Sequence, residues 1–489
     1  MNMKIIEITD LKLTPVQAFE RVFKDKPYPF LLESGMPNLE YGRYSIMGSD
    51  PFLKFISKGR RIEIVKNGRT RHLKGNPFDL LKDLLRRLPP KETGEVFEKS
   101  AAALKDCKAK ALPYDVRCYD VTTHDARPPF TGGAVGYFAY DLGWHVEKLP
   151  NIAKDDINLP DCYLCFYNQG MVFDNFKKKA YIFGINRDWL TSTQNRIKET
   201  NKADTKSQKE LKRHIKSGRL TSNFTYSGYV RAIKRAKHYI SIGDIYQANL
   251  SQRFMCHIDT HPFELFKRLR NINPACFSAY LDYGTFSIVS SSPELFLRVR
   301  DRDVQTRPIK GTRPRGRTPA EDRKLADELM ASRKDRAELV MIVDLERNDL
   351  GRVCDYGTVR VKEPVRLEKL PTVFHTVSTV EGKLYKGKGV VDLLMAAFPG
   401  GSITGAPKIR AMEIIEELEP TKRNVYTGAI GYLGFNNSAD LNIAIRTFVI
   451  KGRKAYFQAG GGIVADSDPR KEYRETLDKA RALIKAVKG

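Results

Sequence analysis

Two extended runs joined by a three-residue turn constrain this chain more than any other feature. Ser291 to Thr312 reads S-S-P-E-L-F-L-R-V-R-D-R-D-V-Q-T-R-P-I-K-G-T. Leu295, Leu297 and Val299 alternate along the first run, Val304 to Thr306 open the second, and Asp301 to Asp303 form the turn. So short a link cannot hold a crossover helix, so the two strands must pair antiparallel. From residue 227 onward, strands keep arriving in neighbouring pairs between helices, which predicts an α+β fold with antiparallel sheets. The same stretch puts Glu294 at the start of one strand and Lys310 at the end of its hairpin neighbour. A carboxyl that can give a proton and an amine that can attack carbon would then share a cleft. A surface salt bridge beside a hairpin is the plainer alternative.

In the first 90 residues, Tyr28 to Glu33, Tyr44 to Met47 and Ile62 to Val65 read as strands. Phe78 to Arg87 has helical spacing of Leu80, Leu81, Leu84 and Leu85. Residues 88–128 are polar and contain proline, as a surface insertion would. Thr131 to Gly143 mixes glycine with aromatics, which suits a strand approached closely by other backbone. Thr191 to Ser222 is strongly polar and is the best linker candidate, with room for an exposed helix. Tyr229 to Ile242 is helical with Ser227 as a cap, and Ile245 to Phe254 is a strand. This divides the chain into residues 1–190, a linker at 191–222, and residues 223–489.

Seven cysteines in 489 residues lack framework spacing, and Cys162-x-x-Cys165 has no second pair to complete a zinc site. Bystander thiols in a reducing cytoplasm are the expected reading, with no signal peptide and no apolar run long enough to span a bilayer. A net charge of +26 raises nucleic-acid binding. The excess is scattered, without interleaved aromatics or a binding signature, so a solvated basic surface that attracts an anionic metabolite is preferred.

Pro319 to Leu350 reads as one long helical stretch, in which Asp335 and Glu338 share a face three residues apart. Glu472 and Glu475 repeat that spacing on a helix opened by Asp466-Ser-Asp-Pro469. Two such pairs facing one pocket would suit Mg²⁺, a hard cation that prefers oxygen, although solvated acidic faces look the same. Phe398 to Lys408 (F-P-G-G-S-I-T-G-A-P-K) lacks the Lys-Ser/Thr of a phosphate loop. Gly460-Gly461-Gly462 lies too near the C-terminus for a dinucleotide-binding unit. Both glycine clusters let backbone amides approach a ligand carboxylate, and Arg446 has the fork to hold another. A small substrate with several carboxylates fits these signals; tight turns and a surface arginine fit them too.

Taken together, these motifs resemble the chorismate-utilising enzymes: the component I subunits of anthranilate and aminodeoxychorismate synthase, and the isochorismate and salicylate synthases. The resemblance rests on Gly243 to Ser251, Ser291 to Glu294, Arg307 to Thr312, Asp335 to Asp349, Phe398 to Lys408, Thr427 to Gly431 and Gly460 to Glu475. Upstream it includes Leu31 to Ser34, Gly42 to Ser45 and Gly132 to Asp141. It implies an anthranilate synthase component I-like fold, with antiparallel sheets packed as a sandwich flanked by helices. Isochorismate and salicylate synthases carry a lysine base where this chain has Gln247. Anthranilate synthases typically read P-I-A-G-T where it reads P-I-K-G-T, so Lys310 resembles the mark of the aminodeoxychorismate branch. The resemblance implies that Lys310 attacks the chorismate ring while Glu294 acts as acid. Glu338 and Glu475 would hold Mg²⁺, supported by Asp335 and Glu472. Gln247, His375, Ser402, Tyr426, Arg446 and the Gly460, Gly461 and Gly462 amides would contact substrate. It implies a separate glutamine amidotransferase subunit that supplies ammonia. It also matches Leu32, Glu33 and Ser34 to a tryptophan site, which in this branch holds tryptophan structurally or holds nothing.

Overall fold

The computed structural model describes residues 3–9, 11–36, 41–88, 128–203, 215, 217–370 and 373–488. The polar insertion read at 88–128 lies outside the described residues, apart from its two ends. Two large, wholly antiparallel sheets form the centre, each built from both early and late parts of the chain. In the first, strand Phe30–Glu33 lies between Tyr44–Gly48 and Phe277–Asp282, and the order runs on through Phe286–Ser292, Thr447–Lys451 and Lys454–Ile463 to Gln247–His257. In the second, Gly133–Phe138 pairs with Ala429–Gly434, which leads through Ala439–Ile443 and Leu295–Arg300 to Asp303–Arg307 and Val373–Lys383.

The expected α+β sandwich is what forms. Alternation along each strand sends successive side chains to opposite faces. One buried cluster lies between the sheets and joins Phe30, Ile46 and Ile288 of the first to Val135, Tyr137 and Ile430 of the second. Tyr163 and Tyr283 meet there at 4.3 Å between ring centroids. The outer face of the first sheet is covered by helices Pro15–Val22, Pro262–Ile272 and Pro469–Lys488. That of the second is covered by Pro77–Arg87, Arg333–Gly351 and Val390–Ala397. Cys162 faces the outer core and Cys165 the inter-sheet core, so the C-x-x-C pair points two ways from one strand. The close approach read at 131–143 is present: a Cβ on Gly136 would run into the carbonyl of Tyr163 on the neighbouring strand.

Several boundaries move for local reasons. The helix expected at 229–242 runs Tyr226–Ser241, and its cap is Thr225, whose hydroxyl accepts from Gly228 N at 3.1 Å; Ser227 is already inside. The long helix read at 319–350 is two, Pro319–Ala331 and Arg333–Gly351, because Ser332 turns extended and its hydroxyl caps the second by accepting from Asp335 N at 3.2 Å. Asp335 is therefore a first-turn residue, where a carboxylate is favoured by the helix dipole. The polar stretch at 191–222 begins inside helix Arg187–Ala203.

Candidate active site

The hairpin read from the sequence forms, with Arg300 opposite Asp303 and only Asp301-Arg302 in the turn, Asp301 at φ 54°. Lys310 is not on it. Pro308 ends the second strand, and the chain begins a new one, Ile309–Pro314, that pairs with Val373–Lys383 instead. Glu294 and Lys310 still share one neighbourhood. Ile309 N approaches Glu294 Oε1 at 3.5 Å, and each side chain acts electrostatically on the other.

Lys310 Nζ donates to the Ser402 carbonyl at 3.0 Å. Burial pulls its pKa down; Glu338 and Glu294 pull it back, and the balance stays below the ordinary lysine value. Glu294 is 5% exposed, and burial lifts its pKa against the opposing effects of the Ser402 hydroxyl and then Lys310. An amine biased toward its neutral form thus lies beside a carboxyl biased toward keeping its proton. That is the pairing a covalent substitution with acid assistance requires.

The acidic helices meet here as well. Burial raises Glu338, which lies within electrostatic reach of Lys310, Asp335 and Glu475. Glu475 shows the reverse balance: burial raises it, but the Lys479 ammonium at 2.7 Å takes it below the usual value. The outer pair is held from behind, Asp335 by Arg313 at 3.0 Å and Glu472 by the Ser467 hydroxyl at 2.7 Å. Among the described residues, no three His, Cys, Asp or Glu side chains converge as a ready-made metal cage. The Glu338 and Glu475 carboxylates are hard oxygen donors, the type that Mg²⁺ prefers.

The glycine strand closes on the same point. A Cβ on Gly461 would lie 3.4 Å from Glu475 Oε1 and 3.5 Å from Glu472 Oε2, and one on Gly462 would lie 2.7 Å from Gln247 Nε2. Gly460 offers its carbonyl to Lys479 Nζ at 3.0 Å. Gln247 is fully buried with both amide atoms lacking a partner, while the buried Ser402 hydroxyl faces the Glu294 carboxyl. His375 donates or accepts through Nδ1 with Thr312 Oγ1 at 2.9 Å, and its Nε2 has no partner. Burial and then the charge of Arg446 take its pKa down to about 3, so the ring is neutral. Arg446, at φ 51° between two strands, donates to Asn273 Oδ1 at 3.1 Å and is drawn toward Glu294. Buried polar atoms without partners are rare in a finished core and mark surfaces shaped for a polar ligand.

Tyr426 stands slightly apart, 5.8 Å from Arg423 in a saturated knot beside the glycine strand. Leu32 and Glu33 line a separate cavity of about 230 Å³ with Arg298, Tyr432 and Asp440. Glu33 is paired there with Arg270 at 2.6 Å, and the Ser34 hydroxyl is turned to the Met36 carbonyl at 2.9 Å.

Sequence reasoning passed over Lys479 and Glu346. Lys479 follows Glu475 by four, a readable helical ion-pair spacing. Glu346 is buried, accepts from Thr306 Oγ1 at 3.0 Å, and is pushed far up by burial and then by Glu294. Its place beside Glu294 and Lys310 depends on tertiary packing alone.

A chorismate binding enzyme profile matches residues 86–485, and the chain belongs to that family. It is 41% identical over 490 residues to anthranilate synthase component 1 of Acetivibrio thermocellus, covering 97% of this chain and 92% of that protein. It is 37% identical over 487 residues to aminodeoxychorismate synthase component 1 of Bacillus subtilis, covering 96% and 94%. Among solved structures, anthranilate synthase component I of Streptococcus pneumoniae superposes with a TM-score of 0.74 at 30% identity, covering 97% of both chains. The isochorismate synthase of Escherichia coli shares the fold with a TM-score of 0.70 at 18% identity, covering 99% of this chain and 95% of that one. Among the described residues, no helix is long and apolar enough to cross a membrane.

Proposed function

We propose that the chain is a component I aminodeoxychorismate synthase, which converts chorismate and ammonia to 4-amino-4-deoxychorismate and water. The observation that carries this reading is the enclosed primary amine of Lys310, lowered in pKa by burial and placed beside Glu294. Neutral Lys310 adds to ring carbon C2, both ring double bonds shift along the conjugated system to C1=C6 and C4=C5, and the C4 hydroxyl leaves with the proton of Glu294 as water. Ammonia then adds at C4, both double bonds shift back to C1=C2 and C5=C6, and the C2–N bond breaks to release Lys310. Glu294 recovers a proton from the incoming nitrogen, and the enolpyruvyl group is retained. Arg446, Tyr426 and the 460–462 backbone would hold the enolpyruvyl carboxylate, with Gln247, His375 and Ser402 around the ring. Mg²⁺, held by Glu338 and Glu475 with Asp335 and Glu472 behind them, would neutralise the ring carboxylate. A glutamine amidotransferase subunit would supply the ammonia.

The 41% identity to an anthranilate synthase supports a second reading, in which the same site eliminates pyruvate and aromatises the ring. Incubation with chorismate, Mg²⁺ and ammonium separates the two. Accumulation of 4-amino-4-deoxychorismate is expected, and fluorescent anthranilate formed directly would overturn the first reading.

A further inference from the structure

A second cavity, of about 240 Å³, lies against the far side of the strand that carries Lys310. Ile309 lines it, and Lys310, its neighbour on the strand, leaves from the opposite face toward the catalytic cleft. We propose that this cavity binds a small organic carboxylate, and that the ligand engages the same Arg446 the catalytic cleft uses.

Charge is the first argument. Arg307 and Arg446 lie in the wall and Arg366 and Lys369 at the more exposed rim, against a single lining acid, Glu368. Glu368 is already paired with Arg307, and Arg366 pairs with Glu363 at 3.1 Å. Arg307 is 4% exposed and its Nε still lacks a partner. Arginines in a partly enclosed wall are the groups best suited to a planar carboxylate.

Apolar lining is the second argument. Phe277, Pro293, Leu367 and Leu370 complete the wall, which favours a ligand with a hydrocarbon body over a bare inorganic anion. Arg446 supplies the connection. It lines this cavity, donates to Asn273 on the same wall, and is drawn electrostatically toward Glu294 on the other side. A carboxylate in the cavity draws the guanidinium away from the catalytic face, so occupancy lowers turnover without filling the substrate's place. The predicted effect on turnover rests on the role proposed above for Arg446; binding itself does not.

The test uses benzoate as probe on the full chain. Calorimetric titration should show saturable binding to one site, with sulfate at matched ionic strength failing to replace it. Benzoate should lower kcat at saturating chorismate. Arg366→Gln with Lys369→Gln should weaken benzoate binding by about ten-fold, the loss of one charge-assisted contact, and leave turnover without benzoate unchanged. Absence of saturable binding, or binding that is purely competitive with chorismate and indifferent to the rim variant, would overturn the inference. Because titration needs no turnover, a failed reaction assignment and a failed cavity assignment give different results.

Discussion

Lys310 and Arg423 are both basic side chains enclosed by protein, and the molecule treats them in opposite ways. Arg423 donates to both Glu419 oxygens at 2.9 and 2.7 Å, and to the carbonyls of Ile403 and Asn249 at 3.0 and 2.5 Å. Tyr140 covers its face at 4.7 Å, while Glu419 also takes the amide and hydroxyl of Ser251. Burial works against that charge, but Glu419 more than restores it, and Arg423 stays firmly cationic. Lys310 has one carbonyl for a hydrogen-bond acceptor and sits below its ordinary pKa. Saturation makes a charge structural; a charge left with few partners is available for chemistry.

The contrast can be broken most directly at Lys310. Lys310→Ala should cut ammonia-dependent amination by roughly 10³-fold or more while chorismate still binds, and turnover close to the parent's would refute the nucleophile. Thermal stability should be kept, since a disfavoured buried amine is removed.

Arg423→Met should act on folding instead. Leaving Glu419 buried without its cation costs about 3–5 kcal/mol, measurable in urea titrations, and a stable variant would show that the knot is dispensable.

Glu294→Gln comes next, with a loss of about 10²-fold or more in kcat. Turnover needs Lys310 without its proton and Glu294 with one, so the pH–rate profile should have a rising and a falling limb that the two groups set together. The variant should lose the falling limb only. The stability signs are opposite for the two groups. Between the lowered Lys310 value and 10.5 the unfolded chain holds the extra proton, so stability rises with pH there. From 4.5 up to the raised Glu294 value the folded chain holds it, so stability falls.

The smallest effect is expected behind the acidic pair. Asp335→Asn should raise the Mg²⁺ needed for half-maximal activity by about 10-fold, and Glu338→Gln by more, read from activity against free Mg²⁺. Equal responses from the two would contradict the division between inner and supporting carboxylates.

Much of this arrangement was legible along the chain. Alternation gave the hairpin, and the three-residue spacing gave both acidic pairs. The cap at Asp468 was readable too: its Oδ1 accepts from the amides of Arg470 and Lys471. The break at Ser332 was not, because good helix formers flank it and one serine carries little signal. Nor was the change of partner at Pro308, since periodicity reports which face is buried and not which strand lies alongside. Glu346 and Arg307 owe their roles to contacts made across long stretches of chain, which no local pattern encodes. Arg423 has its carboxylate partner Glu419 only four residues back, yet it is enclosed by groups as distant as Asn249 and Tyr140. The two-sided position of Arg446 became visible only once both sheets were in place.

The interleaving of the sheets has a consequence for how the molecule can be made. Phe277–Asp282 needs Phe30–Glu33 beside it, and Ala429–Gly434 needs Gly133–Phe138. A chain cut near residue 220 would leave raw strand edges on both fragments, so neither is expected to stay monomeric unless the two are produced together. Folding must wait until the last strands have been synthesised, because partners separated by more than 200 residues cannot meet earlier.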